Sequence, residues 1–167
     1  MKKMVFLILH YQVIEETLKC VESIENINYK NKEIIIVDNN SPNDTGKQLM
    51  KKFKDKKNMH VILSSKNLGF AKGNNIGFEY AKKELKADFI IMCNNDVYII
   101  QENFCELINK EYTNSSFAIL GPRIILNNNT ICTYDDKMPT IKELKKHKLI
   151  TKVFYFFNKI HLRYIYT

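Results

Sequence analysis

The sequence predicts an α/β fold, a mostly parallel central sheet flanked by helices, and three observations carry that expectation. Short apolar runs at residues 4–10, 33–37, 59–63 and 89–93 alternate with stretches of helical periodicity, the pattern of repeated strand–helix units. The runs are near-continuously apolar rather than alternating, as in strands covered on both faces. Two of them lead straight into acids, Ile36-Val37-Asp38 and Cys93-Asn94-Asn95-Asp96. Ligands of open α/β sheets sit beyond the carboxyl ends of the strands. Asp38 and Asp96 are therefore expected at one edge of the sheet, on adjacent strands.

The first run follows Met1-Lys2-Lys3, but only residues 5–9 are apolar before His10. That is too short for the apolar region of a signal peptide, so it reads as the first strand of a cytoplasmic protein. Leu18, Val21, Ile24 and Ile27 recur every three residues, marking an amphipathic helix after Ile14. The second strand, 33–37, ends in Asp38 and the turn-rich Asn39-Asn40-Ser41-Pro42-Asn43-Asp44. A helix over about 44–57 and a strand over 59–63 follow. Gly69, Gly73 and Gly77 then fall every four residues, on one face of a helix ending near Lys83. Such a stripe admits either a ligand or a closely packed sheet, and both readings stay open. Asn74 and Asn75 place hydrogen-bonding amides near that helix's first turns, where phosphates are welcome.

Residues 89–93 form a strand expected to be buried on both faces. Asn94-Asn95-Asp96 is either ordinary turn chemistry or a carboxylate delivered to a hard cation. Mg²⁺ and Mn²⁺ favour one or two carboxylates plus substrate phosphates. A helix over 101–111, a strand over 117–120 closed by Gly121-Pro122, and a hairpin of 123–126 and 130–134 around Asn127-Asn128-Asn129 complete the alternation.

With 167 residues, 45% hydrophobic and 26% charged, the chain belongs to the soluble globular class. No apolar run approaches the roughly 20 residues that cross a bilayer. Cys20, Cys93, Cys105 and Cys132 are scattered without a Cys-x-x-Cys pair, against a zinc site or disulfide framework. No Gly-x-Gly-x-x-Gly follows the first strand and no Walker lysine motif occurs, which disfavours dinucleotide and P-loop folds. Residues 141–167 hold seven of the 26 Lys/Arg and one of the 18 Asp/Glu, most of the net charge of +8. The chain thus divides into a folded domain at 1–140 and a basic, aromatic, helical tail at 141–167. The tail fits a helix lying on an anionic membrane, or a linker with an apolar face for another domain. Nucleic acid is not expected, because no recognised motif accompanies the charge.

Four stretches, in order and approximate spacing, resemble glycosyltransferase family 2. They are residues 5–24, Ile36-Val37-Asp38-Asn39-Asn40-Ser41, Asn67-Leu68-Gly69-Phe70-Ala71-Lys72-Gly73-Asn74-Asn75-Ile76-Gly77, and Cys93-Asn94-Asn95-Asp96-Val97. Leu120-Gly121-Pro122-Arg123-Ile124 resembles the strand that follows in that family, so the likeness covers residues 4 to about 139. The Asn-Asn-Asp variant and the Gly-Asn-Asn helix look most like its rhamnosyltransferase-like branch. The resemblance implies a GT-A-type nucleotide-binding fold in residues 1–140. It also implies a hexosyltransferase-type enzyme of polysaccharide or glycan assembly, a UDP- or dTDP-sugar donor, Mn²⁺ or Mg²⁺, and inverting transfer to a glycan or lipid-linked acceptor. Asp38 would accept the N3–H of a uracil or thymine, and Asp96 would hold the metal. Asn95 would lie against the ribose or sugar and Asn75 beside the donor, with Asn40, Asn67, Gly69 and Gly73 completing the nucleotide-sugar set.

Two departures bear on that set. Asn94 replaces the family's first acid, and Asn74 stands where many relatives carry Arg. The family's general base belongs to a Glu-Asp motif further along, and this sequence contains no Glu-Asp pair. Asp135 and Asp136, the paired acids after Asp96, are the candidates to replace it. The expectation is a donor-binding part of the fold, truncated before the base segment. Its alternative is a remnant or subunit that binds the nucleotide-sugar without transferring it.

Overall fold

The computed structural model describes residues 1–122, 124–125 and 131–132. They fall into two units, divided after Ala118. The first unit alternates strictly: β1 (Met4–His10), α1 (Ile14–Glu25), β2 (Lys32–Asp38), α2 (Thr45–Phe53), β3 (Met59–Leu63), α3 (Gly69–Lys83), β4 (Phe89–Asn94) and α4 (Phe104–Ser115). All four strands are parallel, in the order β3-β2-β1-β4. The second unit contains a short antiparallel pair, β5 (Ile124–Ile125) and β6 (Ile131–Cys132), with Ile124 opposite Cys132. That is the hairpin the asparagine triplet predicts.

The continuous apolar runs become strands because both faces of β1 and β2 are covered. On one face Met4, Phe6, Ile8, Ile34 and Ile36 pack against Cys20, Val21 and Ile24 of α1, Leu49 and Phe53 of α2, and Cys105 and Ile108 of α4. On the other, Val5, Leu7, Ile35 and Val37 meet Ala81 of α3. Burying one such aliphatic side chain contributes roughly 1.5–3 kcal/mol. Apolar content alone leaves a two-faced strand free to slip, so the polar ends fix the register, with His10 opposite Asp38 and Leu9 opposite Asn94.

Three expectations need correction. Asp38 and Asp96 do not follow adjacent strands, because β1 lies between β2 and β4. The chain runs outward from β1 to β2 to β3, and α3 then crosses back over β1, its Gly73 and Gly77 lying against Leu9 and Leu7. Nor is β4 buried on both faces among the described residues: Met92 is 50% exposed and of its six residues only Cys93 is buried. β4 is the edge of this sheet among the described residues, and α3 packs mainly over β1 and β2. Finally, residues 117–120 are not a strand. Ser116 caps α4 in the left-handed conformation (φ 49°) and turns the chain. Phe117 then packs its ring on Phe89 and Tyr112, at centroid distances of 6.0 and 5.4 Å. α4 itself begins and ends three to four residues later than the periodicity suggests.

Candidate functional site

β1 ends at His10, β2 at Asp38 and β4 at Asn94, all at the carboxyl edge of the sheet. β2 and β3 lie to one side of β1 and β4 to the other, so the strand order reverses at β1. That reversal is where open α/β sheets leave a ligand crevice.

Asp38 is only 5% exposed. The Ser41 amide donates to both of its carboxylate oxygens at 3.2 Å, and the Ser41 hydroxyl donates to Oδ1 at 2.5 Å. Gly46 leaves room for this carboxylate: a Cβ at that position would lie 2.3 Å from Asp38 Cγ and Oδ2. The loops after β1 and β2 are tied together. The Gln12 amide donates to Ser41 Oγ (2.8 Å), and Asn43 Nδ2 donates to the Gln12 carbonyl (2.9 Å). Gln12, Asn40 and Asp44 all hold positive φ, at 65°, 62° and 59°. Left-handed backbone at non-glycine residues costs about 1–3 kcal/mol each and persists where the surroundings over-determine it.

Beneath these loops His10 is fully buried. Its Nδ1 is 2.7 Å from Thr17 Oγ1, its Nε2 is 2.8 Å from Thr45 Oγ1, and Nε2 also lies 3.9 Å from Asp38 Oδ1. Loss of solvent pushes the imidazole below its ordinary value, with the Asp38 carboxylate acting in the opposite sense.

Asn39 locks the approach to α3. Its Nδ2 donates to Asn67 Oδ1 (3.0 Å) and its Oδ1 accepts the Leu68 amide (2.9 Å), while Asn67 Oδ1 also accepts the Gly69 amide (2.9 Å). Gly69 makes this turn at φ +73° in open space, a conformation that glycine adopts without strain. Of the two roles open to Gly73, the contacts display packing: a Cβ there would meet Leu9 Cδ1 at 2.7 Å. Asn74 is 3% exposed and donates Nδ2 to the Phe70 carbonyl (2.9 Å), and its Oδ1 has no partner among the described residues. Asn75 is exposed on the outer flank of α3, in a shallow depression with Lys72 and Glu79.

On the β4 side, Asn95 is half-buried and its Nδ2 reaches Thr17 Oγ1 at 3.4 Å. Asp96 is exposed, and no hydrogen bond engages its carboxylate among the described residues. Among the described residues no three His, Cys, Asp or Glu converge as a metal cage. One free carboxylate fits a cation that arrives with a diphosphate and keeps waters on its other positions. Cys20 lies beneath, 3.7 Å from the Asn94 carbonyl. Burial, with a smaller effect from Asp96, pushes its thiol up to about 12, so it is no nucleophile at neutral pH.

The family comparison decides what such a sheet edge belongs to, since the Glycosyl transferase family 2 model matches residues 6–165. The chain belongs to glycosyl transferase family 2. The low-salt glycan biosynthesis hexosyltransferase Agl10 of Haloferax volcanii is 29% identical over 93 residues, which are 56% of this chain and 28% of that protein. Among solved structures, S. aureus TarS residues 1–349 superposes with a TM-score of 0.57 at 20% identity, covering 68% of this chain and 33% of that one. The mannosyltransferase PcManGT from Pyrobaculum calidifontis, in complex with GDP-Man and Mn²⁺, gives 0.54 at 12% identity over 61% of this chain and 30% of its own. These structural likenesses establish the GT-A fold. The chain spans about a third or less of the length of these relatives.

Within this family 2 domain, Asp38, Asn95 and Asp96 gather at the carboxyl edge. Asn40 lies on the exposed loop just past Asp38, and Asn67 with Gly69 shape the approach to α3. Asp135 and Asp136 lie outside the described residues, as does the tail at 141–167. Sequence reasoning overlooked His10, Asn39 and Gly46. A polar residue closing an apolar run was the available signal for His10, and a glycine in the first turn of a helix was the signal for Gly46.

Proposed function

We propose that this domain binds a nucleoside diphosphate sugar, UDP- or dTDP-linked, together with Mn²⁺ or Mg²⁺, as the donor half of an inverting transfer to a glycan or lipid-linked acceptor. The observation that carries the reading is the placement of Asp38 and Asp96 on opposite sides of β1, at the point where strand order reverses. TarS has been crystallised with UDP and the P. calidifontis enzyme with GDP-Man and Mn²⁺, which supports a nucleotide donor and a divalent ion. Asp38 accepts the N3–H of the base, and its Ser41 hydrogen bonds keep the carboxylate aimed. Asn95 lies against the ribose or sugar, with Asn40, Asn67 and Gly69 lining the approach and Asn75 beside the donor. Asp96 holds the cation carried by the diphosphate. The ion supplies Lewis-acid stabilisation of the charge that develops on the leaving diphosphate. The acceptor hydroxyl oxygen bonds to the anomeric carbon, the sugar–diphosphate bond breaks with its electron pair on the diphosphate, and a carboxylate base takes the hydroxyl proton.

A second reading, donor binding without transfer, is favoured by one observation: no Glu-Asp pair occurs in these 167 residues. Calorimetry tests the shared part. UDP and dTDP are expected to bind more tightly with Mn²⁺ than with chelator, and Asp96→Ala to abolish that difference. Asp38→Ala is expected to reduce the preference for UDP over GDP. Unchanged binding in both variants would displace the site.

A further inference from the structure

His10 does nothing in the reaction as proposed, yet its side chain is fully buried at the carboxyl end of β1, as is that of its partner Thr17. Its partners lie on two different helices. Thr17 belongs to the second turn of α1, and its hydroxyl donates to the Val13 carbonyl at 3.2 Å. A hydroxyl has one proton to give. With that proton committed, Thr17 Oγ1 is left as an acceptor 2.7 Å from Nδ1. On the other side Nε2 lies 2.8 Å from Oγ1 of Thr45, the first residue of α2. The Thr45 hydroxyl donates to Asn43 Oδ1 at 2.8 Å, so both threonine oxygens face the ring as acceptors and the imidazole bridges the two helices whichever nitrogen carries its proton.

The two arms lead to the two ends of the donor site. On the α2 side, Thr45 is followed by Gly46, the residue against which the Asp38 carboxylate rests. On the α1 side, Thr17 Oγ1 is approached by Asn95 Nδ2, one residue before Asp96. We propose that His10 is the positioning residue of the donor site, its ring fixing the separation between the base-side acid Asp38 and the diphosphate-side pair Asn95–Asp96 through Thr45 and Thr17. This inference rests on the donor-site reading above. Burial disfavours the charged form of the ring, and the two threonine hydroxyls hold it from opposite sides. The bound donor spans both arms, so strain at either end is transmitted to the other through one rigid side chain.

The test uses the full chain with UDP, GDP, Mn²⁺ and Mg²⁺. His10→Leu removes both ring bonds and is expected to weaken UDP about tenfold or more, as loss of supporting hydrogen bonds around a ligand site does. It is expected to reduce both the Mn²⁺ enhancement and the preference for UDP over GDP. Thr17→Val is expected to lose mainly the first and Thr45→Val mainly the second, and both keep the side-chain shape if His10→Leu does not fold. Ile8→Val, which trims a buried methylene on the same face of β1, controls for stability and is expected to bind as the wild type does. The ring nitrogen resonances of His10, read by long-range ¹⁵N–¹H correlation, are expected to move when UDP and Mg²⁺ are added; a histidine that only fills the core would not respond. Static resonances overturn the inference. So does a folded His10→Leu with wild-type affinity and selectivity, or, where that variant does not fold, unchanged binding in both threonine variants. A wild-type chain that binds no nucleoside diphosphate overturns the donor-site reading first and this inference with it, a result distinct from intact binding that ignores His10.

Discussion

His10 also sets how the fold responds to acid. Burial holds its ring below the ordinary value of 6.5, against the pull of Asp38. In the unfolded chain the same imidazole takes up its proton near pH 6.5. As pH falls below that value the unfolded state binds the proton first, so stability declines until the folded-state value is reached. The melting temperature is therefore expected to drop between pH 7.5 and pH 5.5, and His10→Leu to flatten that slope even if it lowers the temperature overall. Calorimetric melts of the two proteins at four or five pH values would decide it; parallel slopes would mean that another group dominates. Carboxylates held low by their partners act in a different window. Asp88, held down by the Lys3 amide and then by Lys2, loses its contribution only as pH falls below the ordinary carboxylate range.

The helices show how the same residue type serves two purposes. Glycine inside a helix normally costs about 1 kcal/mol relative to alanine, so replacement in α3 should help unless space forbids it. At Gly77 a Cβ would fall 2.0 Å from Leu7 Cδ1 and 3.1 Å from its Cγ, and Leu7 is fully buried. Overpacking of this kind costs about 1–3 kcal/mol, so Gly77→Ala is expected to destabilise the fold in denaturant melts. Gly73→Ala should cost less, because Leu9 is only half-buried and can rotate away. Gly46→Ala is expected both to lower stability and to weaken UDP, since a Cβ there would displace the buried Asp38 carboxylate from its Ser41 hydrogen bonds. Much of this architecture could be read beforehand: β1 and β2 declare themselves because they are apolar on both faces, and Asp38 because it ends such a run. The exposure of β4 could not be read, because an apolar run reports a strand's propensity and not what pairs with its edge. Asn39 was hidden for a related reason. Asp38-Asn39-Asn40 has the composition of a turn, and only the fold shows one of those amides buried and bonded to the approach of α3.

At the scale of the whole chain, charge and chemistry are divided along the sequence. Most of the net charge of +8 belongs to residues 141–167, and among the described residues no helix is long and apolar enough to cross a membrane. If that basic, aromatic tail serves a membrane surface, the protein should sediment with anionic vesicles at low salt and release as screening shortens to about 3 Å at 1 M. Truncation after Thr140 should abolish sedimentation and leave nucleotide affinity intact. Equal binding to neutral vesicles would favour a packing face instead. Donor and acceptor chemistry separate in the same way. The residues proposed to hold a nucleotide and a cation all lie between His10 and Asp96 in the sequence, and of these Asp38, Asn95 and Asp96 come to the carboxyl edge of the sheet while Asn75 lies on the outer flank of α3. Transfer also needs a base within reach of the acceptor hydroxyl, and the sequence has no Glu-Asp pair to supply it. Lack of a positioned base typically costs about 10²–10⁴-fold, and an unpositioned acceptor adds to that. The 167-residue polypeptide is therefore expected to bind donor while forming little glycosylated product. Slow metal-assisted hydrolysis can persist, because water needs less positioning than a sugar hydroxyl. Incubation with UDP- and dTDP-sugars, Mn²⁺ and lipid-linked acceptors, following nucleotide release and product separately, distinguishes the outcomes. Release without product supports donor binding alone. Robust product would require a base within these residues, and Asp135→Asn and Asp136→Asn would then show whether that pair provides it.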